Sequence, residues 1–376
     1  MKEIRAIVNA YDQAVKEGKQ TALLTVVQLE GSSYRRPGAR MLVTEDGQLT
    51  GAISGGCLEG DALQKALLVL HLQEPRIVTY DTSEEDEAGM GAQLGCAGII
   101  QVLIEPIQSN QPDNPIELLR KGIQRRQAFA VATVFCLDHK QGSHWGTCGL
   151  LDETGANFPD LVWRDWLHNN AIIALQSRRS AWTTHSSDDK KWTCFIEYVP
   201  APISLWVIGA GNDVIPLVTM AQTLGWDTTV IDGRPALANI DRFQSGCQVI
   251  VSRPEQALSR LKPDPRTAVA LMTHNYHYDK AMLKVLLDTP VAYVGLLGPR
   301  KKRDRMLEEL KAEGTLIAPE QLDRLYGPIG LDIGAETSEE IALSILAEIQ
   351  AVMTGGNGLS LRNKTTVIHD RNCQLA

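Results

Sequence analysis

The chain has 376 residues, too many for one ordinary core, so about two or three domains are expected. Its 44% hydrophobic and 22% charged residues are the proportions of a folded globular protein and exclude wholesale disorder. A balance of 37 basic against 45 acidic residues, net −8, argues against a general nucleic-acid or membrane-surface binder.

No long apolar run follows Met1-Lys2-Glu3-Ile4-Arg5, so a secretory leader is not expected. The most apolar stretches, 268–272 and 291–297, are too short to span a bilayer. Seven cysteines lie far apart with no Cys-x-x-Cys pair, which predicts reduced thiols in a cytoplasm rather than disulfides or structural zinc.

In chain order, Ile4, Ile7, Val8, Tyr11, Ala14 and Val15 recur at helical spacing, and Gly18 ends that helix. Residues 21–29 and 40–44 read as strands, and Glu45-Asp46-Gly47 turns the chain into 48–53 as a hairpin. A helix through about His71 follows, then strands near 76–80 and 98–105. Residues 109–115, rich in Pro, Asn and Gln, read as a linker. From 116 to 200 the pattern is less legible and suggests a subsidiary α+β segment. Five of the seven tryptophans fall there (Trp145, Trp163, Trp166, Trp182 and Trp192) and are read as core rather than site. No internal repeat at a fixed period is visible. After Ala201-Pro202, short β-branched runs at 205–208, 228–231, 248–251, 268–272 and 292–296 alternate with helical stretches, the pattern of a parallel sheet covered on both faces. The expected class is therefore α/β, with a Rossmann-like doubly wound parallel sheet over 201–376, a smaller N-terminal α+β domain over 1–108, and 109–200 between them.

Several segments carry chemistry. Val207-Ile208-Gly209-Ala210-Gly211-Asn212-Asp213-Val214 follows a strand and opens a helix, so Gly209 suits a tight turn and Gly211 the approach of a pyrophosphate. Val214 replaces the small third residue of that fingerprint. Asp232 follows the second strand, 21 residues after Gly211, where an acid can bind a ribose hydroxyl. Bound dinucleotide and a scaffold reused for another purpose both remain open. Thr273-His274-Asn275-Tyr276-His277-Tyr278-Asp279 follows another strand, placing His274 and Asp279 where a ligand's reactive end lies. His274 and His277 lack a third metal ligand in the sequence. Gly298-Pro299-Arg300-Lys301-Lys302-Arg303 puts four cations at a helix start, either a phosphate grip or a solvated face. Thr337-Ser338-Glu339-Glu340 is a capping box for the helix over 341–353.

Near the N-terminus, Glu30-Gly31-Ser32-Ser33-Tyr34-Arg35-Arg36-Pro37-Gly38-Ala39-Arg40 is a small-polar and basic loop. Ser54-Gly55-Gly56-Cys57-Leu58-Glu59-Gly60 is a glycine turn with cysteine at a helix start, a place that favours thiolate; a small packing cysteine is the other reading. Cys96 sits in a second such turn, Leu94-Gly95-Cys96-Ala97-Gly98.

Taken together, the loop of Gly31–Arg40, the Gly55-Gly56-Cys57 turn, the Gly209 turn, the His274 and Gly298 segments and the glycines before Glu340 resemble the XdhC/CoxI family over most of the chain. The resemblance implies an accessory role in maturing molybdenum hydroxylases: holding molybdenum cofactor, supporting its sulfuration, and delivering it to the apoenzyme. It implies Cys57 as molybdenum contact or sulfur relay; together with the positions read from the motifs, the candidate cofactor-binding residues are Ser32, Ser33, Arg35, Gly55, Gly56, Cys57, Cys96, Gly209, Gly211, Asp232, His274, Asp279, Gly298 and Arg300. A cysteine desulfurase and a molybdenum hydroxylase apoenzyme are the implied partners. Ala97 and Asn212 depart from the family's pattern, where glycine and histidine are common. The competing reading is an NAD(P)-dependent oxidoreductase working through the Rossmann turn and His274. A homodimer is expected on general grounds.

Overall fold

The computed structural model describes residues 1–31, 33–81, 98–136, 146–158, 164–187 and 190–365. Two compact units divide the chain between Ala201 and Pro202.

The first unit is built twice. Its first half runs α1 (Lys2–Lys16), β1 (Thr21–Gly31), β2 (Arg40–Thr44), β3 (Leu49–Gly51), α2 (Glu59–Leu72), β4 (Arg76–Asp81) and β5 (Gly98–Ile107). Its second half runs α3 (Pro115–Gln124), β6 (Phe129–Phe135), β7 (Gly146–Asp152), β8 (Gly155–Asn157), α4 (Arg164–Ser177), β9 (Ala181–Ser187) and β10 (Lys190–Val199). Each half forms one antiparallel sheet, in the orders β3-β2-β1-β5-β4 and β8-β7-β6-β10-β9. Registers match as well: Leu23 pairs with Leu42 and Glu105, as Val131 pairs with Leu150 and Glu197. The sequence showed no periodic repeat, and the structure corrects that picture at the level of topology. What the halves share is burial pattern and register, not residue identity or loop length.

Alternation along the strands explains the layering. One face of the first sheet (Ala22, Leu24, Val26, Met41, Val43) packs on Ala62, Ala66 and Val69 of α2. The corresponding face of the second (Ala130, Ala132, Val134) packs on Leu167, Ala171 and Ala174 of α4. The other faces meet each other through Val27, Leu103, Phe135 and Phe195, flanked by Trp182, whose indole N–H donates to Val27 O at 2.8 Å. Trp166 and Trp182 are partly buried and Trp192 is buried, while Trp145 and Trp163 lie outside the described residues.

Two carboxylates cross between the sheets reciprocally. Glu197 of β10 accepts from Arg40 of β2 at 2.5 Å, and Glu105 of β5 accepts from Thr147 of β7. Strand register makes Glu105 the counterpart of Glu197 and Thr147 that of Arg40. Gly38 sits beside Glu197 with φ +90°, and a Cβ there would fall 2.5 Å from Oε1. Gly146, with φ +130°, is crowded in the same way by Glu105. Only glycine meets both demands.

The second unit holds β11 (Ser204–Ile208), α5 (Val214–Thr223), β12 (Asp227–Asp232), β13 (Cys247–Val251), α6 (Pro254–Arg260), β14 (Thr267–Leu271), α7 (Tyr276–Leu287), β15 (Tyr293–Leu296), α8 (Arg300–Ala312), α9 (Pro319–Asp323), β16 (Leu325–Tyr326) and α10 (Ser338–Thr354). All strand pairs are parallel, in the order β13-β12-β11-β14-β15-β16. This is the doubly wound Rossmann arrangement, with its reversal of direction between β11 and β14. Both faces are covered, by α5 and α10 on one side and α6, α7 and α8 on the other, which is why the strands read as continuous apolar runs. The Thr337 hydroxyl accepts from Glu340 N at 3.3 Å and the Glu340 carboxylate from Thr337 N at 2.9 Å, closing the capping box of α10.

Candidate functional site

In the first unit the glycine turn before α2 is organised by two side chains. The Glu59 carboxylate accepts from Ile53 N at 3.2 Å, Ser54 N at 2.8 Å and the Ser54 hydroxyl. Burial alone would raise its pKa, but these bonds outweigh burial and hold it below the usual glutamate range. The Ser54 oxygen in turn accepts from Gly56 N at 3.2 Å and Leu58 N at 3.1 Å. The chain therefore wraps around one hydroxyl, and Cys57 is pushed out to solvent with its sulfur 3.5 Å from that oxygen. Gly56, at φ +112°, has open space where a side chain would stand. Tyr34, 75% exposed, lies with Cγ 3.5 Å from the position a Cβ on Gly55 would take.

The structure thus brings Gly55, Gly56, Cys57 and the loop around Tyr34 together. Arg35 is tied to Glu3 of α1. Ser32 and Cys96 lie outside the described residues. Sequence reasoning gave Ser54 and Glu59 no role, although Ser-x-x-x-x-Glu flanking a glycine pair was visible.

In the second unit the Gly209 turn connects β11 to α5, and the Gly209 amide donates to Ile231 O at 2.8 Å. A Cβ on Gly209, at φ +122°, would strike Met272 O. Asp232, singled out for a ribose hydroxyl, instead receives four protein donors. Ala210 N reaches Oδ2 at 2.8 Å, Arg234 N and Nε reach Oδ1 at 2.9 Å each, and Arg234 Nη2 reaches Oδ2 at 2.7 Å. Burial pushes the Asp232 pKa up, but the Arg234 and Ala210 hydrogen bonds overcome it and leave it below the usual aspartate value. Arg242 braces the turn from the same side, donating to Ala210 O and Leu237 O through Nη1 and to Asn212 Oδ1 through Nη2.

Across the reversal point, His274 Nε2 lies 2.9 Å from Asp213 Oδ2. His274 has φ +57°, a conformation that costs a non-glycine residue roughly 1 kcal/mol or more and clusters at functional positions. Asp279 is fully buried and serves as an anchor: it accepts from the Thr273 hydroxyl at 2.6 Å and from Lys302 Nζ at 2.8 Å. Of the basic run, Lys302 also donates to Leu297 O and Arg303 to Gly327 O, so both are directed to protein acceptors. Arg300 is 76% exposed and only loosely paired with Asp304 at 3.6 Å. Gly298 turns the chain into α8 at φ +121°. Sequence reasoning missed Asp213, Arg234 and Arg242. Arg234, two residues after Asp232, was discoverable locally; the other two act across distances that one sequence does not reveal.

Among the described residues no group of three or more His, Cys, Asp or Glu is placed to hold a metal ion, and no helix is long and apolar enough to cross a membrane.

A Rossmann domain following a unit that exposes a cysteine on a glycine turn defines a two-part α/β protein. Residues 205–349 match the XdhC Rossmann domain and residues 14–81 match the XdhC and CoxI family, so the chain belongs to the XdhC/CoxI family. It is 32% identical to a Bacillus subtilis protein named as a probable subunit of xanthine dehydrogenase, over 90% of this chain and 94% of the relative. It is 23% identical to the molybdenum cofactor insertion chaperone PaoD of Escherichia coli, over 93% and 88% of the two chains. Among solved structures, one described as a xanthine dehydrogenase from Bacillus halodurans superposes with a TM-score of 0.73 at 28% identity, covering 96% of this chain and 98% of that one.

Proposed function

We propose that this protein is an accessory factor of molybdenum hydroxylase maturation, with molybdenum cofactor as cargo and an apoenzyme such as xanthine dehydrogenase as recipient. The relatives named above support the reading, and the observation that carries it is the exposed Cys57 on its Ser54–Glu59 scaffold. The residues present suit the cargo. A thiol sulfur is a soft donor appropriate to molybdenum, Gly55 and Gly56 leave room for a bulky ligand, and Ser33 and Arg35 lie on the neighbouring loop. The same thiolate is the nucleophile that would attack the outer, sulfane sulfur of a desulfurase cysteine persulfide, forming a Cys57 persulfide as the desulfurase thiolate leaves. The second unit would contribute through the turn of Gly209 and Gly211, His274, Gly298 and Arg300, while buried Asp279 anchors the His274 segment through Thr273. In this reading the protein works as a homodimer, which sedimentation at micromolar concentration checks.

Cys57→Ser tests the proposal. The variant should keep its thermal midpoint but lose retention of molybdenum cofactor or activation of a client hydroxylase. Full client activation by the serine variant would end the thiol reading.

The strand order of the second unit also favours a different reading, an NAD(P)-dependent oxidoreductase. Titrating the protein separately with molybdopterin and with NAD(P)H separates the two.

A further inference from the structure

The end of β12 is electrostatically unlike a site for an unphosphorylated ribose. Where the Rossmann arrangement binds NAD, the acid at this position is free to accept from the ribose hydroxyls. Here all four acceptor directions of Asp232 are filled from within the protein, and its side chain is 3% exposed. No capacity remains to receive a sugar diol.

What faces outward at this corner is Arg234. Its Nε and Nη2 are locked on Asp232, the side chain is 52% exposed, and among the described residues Nη1 has no protein partner. The fork is pre-oriented, so a ligand anion need not bear the entropy of fixing it. Arg242 adds a second guanidinium, fixed on Ala210 O and Asn212 Oδ1 of the neighbouring glycine turn. On the other side of that turn the charge has the opposite sign. The Asp213 carboxylate stands against Gly211 at the start of α5, where a 5′-pyrophosphate would otherwise lie, and is paired with His274. Two guanidiniums against the one buried Asp232 carboxylate leave the ribose end of the crevice net positive, and Asp213 places a carboxylate at the pyrophosphate end.

We propose that the corner formed by Arg234 and Arg242 beyond β12 is an anion subsite that receives a phosphate monoester carried on the ribose of a bound nucleotide. Arg234 supplies the free Nη1 and Asp232 acts as its positioning residue. This assignment concerns the second unit alone and does not depend on what Cys57 carries.

Calorimetry on the intact protein with 2′-AMP and 2′-CMP, each against its 5′ isomer and its nucleoside, tests it. The 2′-phosphates should bind about tenfold or more tightly than the 5′ isomers, since a charge-assisted pair is gained. The preference should shrink as salt rises. Arg234→Gln should abolish it and Arg234→Lys should retain part of it, with thermal melting confirming that both variants are folded. The wild-type comparison needs no variant and so does not depend on their folding. Equal affinity for the 2′ and 5′ isomers, absence of binding by either 2′-phosphate, or a preference that survives in folded Arg234→Gln would each overturn the assignment.

Discussion

Thr147 donates its backbone N–H and its hydroxyl to the two oxygens of the Glu105 carboxylate, at 2.7 and 3.0 Å, across the sheet-to-sheet contact of the first unit. Burial, opposed by those two bonds and by Arg40, pushes Glu105 up to about 7. Its counterpart Glu197 has a guanidinium where Glu105 has only a hydroxyl and an amide.

The raised value has a definite sign in stability. The folded protein holds the Glu105 proton more tightly than the unfolded chain, so stability is highest below the unfolded value, near 4.5, and falls as pH rises towards 7. The loss amounts to roughly 3 kcal/mol once both states are ionised. Glu105→Gln should therefore be more stable than wild type at pH 8 and gain nothing at pH 4.5. Paired thermal melts across that range check it. A difference independent of pH would show that Glu105 does not titrate in this window.

Arg40 is 1% exposed and Glu197 15%, so neither charge can be recovered by solvent if its partner is removed. Arg40→Met should cost about 3–5 kcal/mol, and adding Glu197→Gln should return part of it, because the double variant no longer leaves an uncompensated charge. Urea midpoints for the two single variants and the double variant give the comparison.

In the second unit, Lys302 and Arg300 should behave oppositely although they are two residues apart. Lys302→Met strands the fully buried Asp279 and should destabilise the Rossmann unit by about 3–5 kcal/mol. Arg300→Met, at an exposed site, should change stability by less than about 0.5 kcal/mol. Unfolding followed by the fluorescence of Trp206 and Trp226 would report both.

Ser54→Ala removes the acceptor of two turn amides and a donor to Glu59 while leaving Cys57 in place. The expected cost is about 1–3 kcal/mol. Cofactor retention should fall as in Cys57→Ser, if presentation of the sulfur and not merely its presence matters. Retention unchanged from wild type would show that the turn needs no such scaffold.

The Rossmann unit was legible because its strands are buried on both faces, and runs such as Leu205-Trp206-Val207-Ile208 and Ala268-Val269-Ala270-Leu271 declare this directly. The glycine turn is legible for a different reason: a backbone constraint at Gly209 leaves a residue-type signature. What lies around the turn was not found. Asp232 reads as a ribose ligand until Arg234 and the Ala210 amide are seen to fill it, and Arg242 reaches Ala210 O and Asn212 from a segment with no motif. The duplication is not legible in the sequence because the second half keeps Val131, Leu150 and Glu197 at matched register positions while exchanging Arg40 for Thr147. Burial parity survives such exchange; residue identity does not.

The reciprocal pairing of the two halves also fixes how the first unit must assemble. Among the described residues, Leu103 and Val27 are covered by Phe135 and Phe195 of the second half, with Trp182 at the flank, and the donors to Glu105 lie on β7. Burial of those four apolar side chains is worth very roughly 6–12 kcal/mol, which neither half gains by itself. A fragment ending near residue 108 would present one bare sheet face with a buried-type glutamate on it. The two halves are therefore a single cooperative folding unit whose decisive contacts join residues 42 positions apart at Glu105–Thr147 and 157 apart at Arg40–Glu197. Such high contact order predicts slow folding, and the natural place to cut the chain is the junction of Ala201 and Pro202.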